Sequence, residues 1–308
     1  MRHLLGLREL APETIELILS TAGPMKEILG REIKKVPALR GKTVATLFYE
    51  PSTRTRMSFE LAAKYLSADT VGMAAATSSV TKGESLLDTI RTVKALGADI
   101  VVLRHPSPGA AHLAARVEGC SIVNAGDGTH EHPTQALLDL FTIREIKGRI
   151  AGLTVVIVGD ILHSRVARSN IWGLTRLGAR VRVVGPATLI PPGLEQVGVE
   201  VFHDLREAVR GSDVIYVLRI QRERQRQAFF PSLREYTRLY AVTAEILDLA
   251  KPDAIVMHPG PMNRGVEIWD NVCDSPRAVI TTQVTNGVAV RMAVLYLLAG
   301  GEVKRDHH

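Results

Sequence analysis

The chain has only two cysteines in 308 residues, Cys120 and Cys273. Two thiols cannot build a disulfide framework, and they point to a reduced, intracellular protein. Long apolar runs are also missing. Arg8 and Glu9 interrupt the first apolar stretch, which argues against a secretory leader. The most apolar late segment, Val288–Ala299, is broken by Arg291 and is too short to cross a bilayer. No membrane association is expected, and the cytoplasm is the expected compartment. Positive charge is in excess, +6 net, but it does not gather in runs. The densest stretch, Arg222-Glu223-Arg224-Gln225-Arg226, is diluted by a glutamate and reads as a solvated segment, so nucleic acid is not an expected partner.

Several catalytic signatures are absent as well. No Gly-x-Ser-x-Gly elbow occurs. Ser79-x-x-Lys82 matches a serine–lysine nucleophile pattern without its companion motifs. Gly41-Lys42-Thr43 resembles the end of a phosphate loop, but Val36 stands where the first glycine belongs. Val155–Gly159 is followed by Asp160-Ile161-Leu162-His163, which lacks the remaining glycines of a dinucleotide fingerprint. His130 and His132 have no Cys or Glu set at ligand spacing, so no metal is expected.

What is present is ordinary globular material, 46% hydrophobic and 23% charged, long enough for one large domain or two of roughly 150 residues. Short apolar runs at 43–49, 70–75, 99–103, 121–124, 153–158, 180–184, 213–218 and 254–257 read as strands. Amphipathic segments at 57–66, 86–96, 134–146 and 166–177 read as helices between them. Ser85 with Asp88 caps the second helix, and Gly178 follows the last. Continuous apolar strands alternating with helices predict an α/β protein of two domains, each a parallel β-sheet flanked by helices. The boundary falls at the helix from Pro133 to Lys147. Residues 1–133 form the first domain, residues 134–284 the second, and 285–308, carrying the last helix, pack back onto the first.

Ligands of open parallel sheets bind beyond the carboxyl ends of the strands. Four arginines, Arg54, Arg104, Arg165 and Arg219, stand within a few residues of such ends. One arginine there reads as a surface ion pair, whereas four in one crevice would repel each other without an anionic ligand. A phosphate, and carboxylates beside it, are the expected groups. Ser52-Thr53-Arg54-Thr55 lies where a strand gives way to a helix, so amides, hydroxyls and a guanidinium can together cradle phosphate. A plain helix cap explains one of those hydroxyls but not Arg54 or the second threonine. His132 and Gln135 stand three apart at a helix start and suit a small planar group bearing a carbonyl and an amine.

Phe48-Tyr49-Glu50-Pro51-Ser52-Thr53-Arg54-Thr55-Arg56 and His132-Pro133-Thr134-Gln135-Ala136-Leu137-Leu138-Asp139 resemble the two signatures of the transcarbamoylase family. The resemblance extends over nearly the whole chain. Arg219-Ile220-Gln221 and His258-Pro259-Gly260-Pro261 look like the aspartate branch, since ornithine members carry His-Cys-Leu-Pro at the latter segment. The resemblance implies transfer of a carbamoyl group from carbamoyl phosphate to L-aspartate, without a cofactor and without a covalent intermediate. An ornithine-specific enzyme or a catalytically silent scaffold are the alternatives. By the same resemblance Ser52, Thr53, Arg54 and Thr55 hold phosphate, while Thr55, Arg104 and His132 bind the carbonyl oxygen. Gln135 and the carbonyls of Gly260 and Pro261 position the carbamoyl NH2, and Arg165, Arg219 and Gln221 clamp aspartate. Lys82 and Ser78 reach in from a neighbouring subunit, which implies a homotrimer with shared sites. A regulatory chain or a dihydroorotase are the further partners seen in the family.

Overall fold

The computed structural model describes residues 1–74, 83–220 and 232–301. The chain divides into two compact units, one of residues 1–141 with the chain from 285 onward, the other of residues 142–284. The first unit opens with α1 (Pro12–Leu29) and continues through β1 (Thr43–Phe48), α2 (Thr53–Tyr65), β2 (Asp69–Ala74) and α3 (Leu86–Ala95). Then come β3 (Ile100–His105), α4 (Ala110–Ala114), β4 (Ser121–Asp127) and α5 (Pro133–Lys147). In the second unit β5 (Thr154–Val158), α6 (Arg165–Arg176), β6 (Arg180–Val184), β7 (Val199–Phe202), α7 (Leu205–Val209) and β8 (Val214–Val217) follow. It closes with α8 (Leu233–Tyr240), α9 (Ala244–Leu247), β9 (Ile255–Met257) and α10 (Asp270–Cys273), before α11 (Ile280–Leu298).

Both sheets are wholly parallel among the described residues. Strand order is β2-β1-β3-β4 in the first and β7-β6-β5-β8-β9 in the second. Helices cover such sheets on both faces, so the central strands lose all contact with water. Val155 to Val158 are fully buried, as are Val101 and Val102. In the first unit Ala45, Leu47, Val101, Leu103 and Ile122 form a core with Ile90 of α3 and Ala111 and Ala114 of α4. In the second, Val156, Val158, Ile215, Val217 and Val256 pack with α7, α8 and α9. Each fully buried Val or Leu there contributes roughly 1.5–3 kcal/mol of transfer free energy.

The last helix returns to the first unit through a buried cation. Arg291 of α11 is 4% exposed, donates to Ser58 Oγ at 2.8 Å and lies 5.1 Å from the centre of the Phe59 ring. Burial lowers its pKa to about 10 against the opposing field of Asp139, so it stays charged at neutral pH. A buried guanidinium is tolerated only where such partners are supplied. Gly287 makes room for it, because a Cβ there would stand 2.6 Å from Arg291 Nη1.

Several elements differ from the sequence expectation, the short helices α4 and α7 to α10 among them. Helix α2 starts at Thr53, not at Met57, because its first turn is polar and carries no apolar period. β7 and α1 have no counterpart among the expected segments. β7 alternates Val-Glu-Val-Phe with only Val199 buried, and α1 contains Gly23-Pro24 in its interior.

Candidate active site

In each sheet the strand order reverses once, and there the loops beyond two adjacent strands diverge to leave a crevice. In the first sheet the reversal lies between β1 and β3; in the second it lies between β5 and β8. The four arginines follow these same strands. Arg54 comes after β1, Arg104 is the last residue but one of β3, Arg165 comes after β5 and Arg219 after β8. Hydrogen bonds hold the strand ends together at both places, Tyr49 N–H to Arg104 O at 2.8 Å and Leu218 N–H to Val158 O at 2.9 Å.

At the first reversal the start of α2 is built for an anion. Ser52 occupies the N-cap, yet its hydroxyl accepts no bond from the amides of the first turn. That turn carries no acid and two cations, Arg54 and Arg56, at the positive end of the helix dipole. Arg56 pairs with Glu60 at 2.8 Å, one turn on, and Arg54 is solvent-exposed. A cleft of about 450 Å3 opens here, lined by Tyr49, Glu50, Ser52, Thr53, Arg56 and Glu60 among others. Glu50 was not among the expected site residues. It approaches Arg104, with Oε2 3.3 Å from Nε, across neighbouring strand ends. Arg104 also donates to Ala125 O at 3.2 Å, which aims it along β4.

His132 sits immediately ahead of α5, buried, its carbonyl accepting from Gln135 N–H and Ala136 N–H. The loop leading to it is held from within. Asp127 accepts from Asn124 Nδ2, Glu131 N–H and Gly109 N–H at 2.8–3.1 Å. Burial opposes the charge of Asp127, but bonds from His130 and Asn124 outweigh it and hold the carboxyl below its usual range. Glu131 reaches the opposite way and accepts from Leu7 N–H at 2.7 Å, so the N-terminal segment braces the residue before His132. Gln135 donates Nε2 to Asp139 Oδ1 at 3.1 Å. That bond decides the amide's orientation and presents its oxygen, an acceptor, to any ligand NH2.

At the second reversal Asp160 accepts from His163 N–H at 3.0 Å, and Ser164 Oγ caps α6 through Ala167 N–H at 3.0 Å. Arg165 opens that helix while only 3% exposed, again with no acid in the first turn. Arg219 is half-buried beyond β8. Beyond β9 the chain passes through Gly260, left-handed at φ +62°, to Pro261. Ser78, Lys82 and Gln221 lie outside the described residues.

His112, Asp127 and His130 bring one donor atom each within 4.8 Å, a trio the spacing in sequence did not suggest. Both Asp127 oxygens already hold the loop, as described, so the trio reads as bracing for that loop. Both cysteines are free thiols, and no described helix is long and apolar enough to cross a membrane.

Parallel α/β units whose switch points gather guanidinium groups and an open helix N-terminus define an enzyme that acts on small anions. The chain belongs to the aspartate/ornithine carbamoyltransferase family. The family's carbamoyl-P binding domain matches residues 2–145, and its Asp/Orn binding domain matches residues 151–298. The aspartate carbamoyltransferase catalytic subunit of Moorella thermoacetica is 67% identical over 97% of this chain and 98% of that protein. Aspartate transcarbamoylase of Trypanosoma cruzi, solved with N-(phosphonacetyl)-L-aspartic acid, superposes with a TM-score of 0.87 at 33% identity, covering 96% of this chain and 95% of that one. Ornithine carbamoyltransferase of Pyrococcus furiosus gives the same TM-score and identity over 98% of each chain. Neither backbone likeness nor identity to these two structures separates the branches, whereas the 67% identity to the Moorella thermoacetica protein favours the aspartate branch.

Proposed function

We infer that this chain transfers the carbamoyl group of carbamoyl phosphate to the amino group of L-aspartate, releasing phosphate. The observation that carries the reading is the placement of the four arginines at the two sheet reversals, Arg54 and Arg165 in helix first turns that lack acids, Arg104 and Arg219 at neighbouring strand ends. Ornithine would bring a second cation to this arginine set, whereas aspartate brings two carboxylates, each suited to a guanidinium fork.

Ser52, Thr53, Arg54 and Thr55 bind the phosphate, and Arg54 stabilises it as it leaves. Thr55, Arg104 and His132 carry the charge that develops on the carbonyl oxygen. Gln135 and the carbonyls of Gly260 and Pro261 accept from the carbamoyl NH2. Arg165, Arg219 and Gln221 grip the aspartate carboxylates so that the amine faces the carbon. The departing phosphate takes the amine's proton. Holding two reactants in this way lowers the barrier by roughly 7–11 kcal/mol, and each oxyanion donor adds about 3–4 kcal/mol.

Ser78 and Lys82 complete the site from a neighbouring copy in a homotrimer. The exposed Met57, Leu61 and Val71, on α2 and the edge strand β2, support association along that side of the first unit. The free thiols of Cys120 and Cys273 suit a cytoplasmic protein. The purified chain, given carbamoyl phosphate with either aspartate or ornithine while its mass is recorded, is expected to form carbamoyl-aspartate as a trimer. Turnover of ornithine alone, or of neither amine, refutes the reading.

A further inference from the structure

The loop after β9 is organised by a buried ionisable pair that the reaction scheme above leaves unused. His258 and Glu267 are both fully buried, and His258 Nε2 lies 3.2 Å from Glu267 Oε1. The other ring nitrogen, Nδ1, accepts from Gly260 N–H at 2.8 Å. An amide can only donate, so Nδ1 carries no hydrogen and the ring proton sits on Nε2, pointing at Glu267. Glu267 in turn accepts from Asn263 N–H at 2.6 Å and from Asn263 Nδ2 at 3.1 Å. The backbone of His258 is itself fixed, its N–H donating to Gln283 Oε1 at 3.0 Å. The segment from Gly260 to Asn263 is thus tied at both ends to one imidazole–carboxylate pair.

A pair this deeply buried is a poor device for stability alone, since apolar residues of similar volume commonly serve as well or better. What distinguishes it is where its bonds end. Each arm closes on the short loop that bears the carbonyls of Gly260 and Pro261.

We propose that His258 and Glu267 are positioning residues that hold the Gly260 and Pro261 carbonyls toward the carbamoyl NH2, an assignment that rests on the carbamoyl-transfer reading. The two arms separate by substitution. His258→Asn keeps an acceptor where Nδ1 stood and loses the bond to Glu267. His258→Gln keeps a donor toward Glu267 and loses the acceptor for Gly260 N–H. Both variants should unfold at lower temperature than the parent. Only His258→Gln should lose loop geometry, raising KM for carbamoyl phosphate about tenfold, as loss of one well-placed hydrogen bond does. Inhibition by inorganic phosphate, which has no NH2, should stay as in the parent for both.

The parent chain is assayed first, because its own inactivity with carbamoyl phosphate and aspartate would refute the reaction rather than the positioning. With an active parent, equal KM values for the two variants, or a matching loss of phosphate inhibition, overturn the proposal. Should neither variant fold, the half-buried Asn263→Ala removes the Asn263 side-chain arm to Glu267, together with a longer bond to Ile220 O at 3.5 Å. It should raise the same KM about threefold, and an unchanged KM counts equally against the proposal.

Discussion

Helices α2 and α3 both begin on a serine, and their N-termini are finished in opposite ways. Ser85 accepts from Asp88 N–H at 3.2 Å and donates to Asp88 Oδ2 at 2.7 Å, while Asp88 also pairs with Arg91. The chain supplies its own anion there, and the helix end is satisfied. At α2 the residue three beyond the serine is Thr55, the first turn carries arginines, and Ser52 makes no cap bond. The positive dipole end is left without a side-chain cap or an acid of its own. A helix start that withholds both its cap and its acid forgoes about 1 kcal/mol, which makes it a mark of function rather than of architecture.

Substitutions can break this contrast or exaggerate it. The largest effect is expected from Arg54→Ala, which removes the guanidinium from the open end: turnover should fall about 100- to 1000-fold with an unchanged circular dichroism spectrum. Near-normal turnover would remove α2 from the phosphate site. If sites are shared, mixing this inactive chain with inactive Lys82→Ala chains should restore some activity after subunit exchange. Next comes Thr55→Asp, which rewrites α2 in the pattern of α3. Thermal unfolding should move up by the equivalent of about 0.5 kcal/mol as the helix gains its acid, while carbamoyl phosphate turnover drops roughly a hundredfold by repulsion. Stability gained with turnover kept would mean the open end is not used. Smallest is Ser85→Ala, which opens the closed end. It should cost about 1 kcal/mol in denaturant unfolding. The Asp88 carboxyl, held low chiefly by the Ser85 hydroxyl and then by Arg91, should titrate nearer its ordinary range by NMR.

The central strands were legible because full burial on both faces demands unbroken apolar residues, and Val155–Val158 or Ile100–Leu103 admit little else. β7 was not, because Glu200 and its neighbours face partly outward and only pairing with β6 makes the segment a strand. The expected cradle, Ser52 to Thr55 with His132 and Gln135, was picked by residue type at strand–helix junctions, and the structure places those residues at the starts of α2 and α5. The start of α2 was misplaced because apolar periodicity marks where a helix packs, not where it begins. Glu50 beside Arg104 and Glu267 beside His258 were invisible, since each pair unites residues on different strands or loops, whereas Gln135 and Asp139 stand four apart on one helix and can be paired from spacing.

The chemistry of the ligand was determined by sequence alone. Four arginines stand near strand ends, and the helix first turns that hold two of them, Arg54 and Arg165, carry no acid, a pattern that favours an anion. Strand order belonged to the tertiary structure. Parallel pairing depends on which crossovers the chain takes, and nothing in the local pattern of β1 records that β3, not β4, lies beside it. That order brings Arg104 next to the α2 cradle and Arg219 next to Arg165's strand, and so turns scattered cations into paired sites.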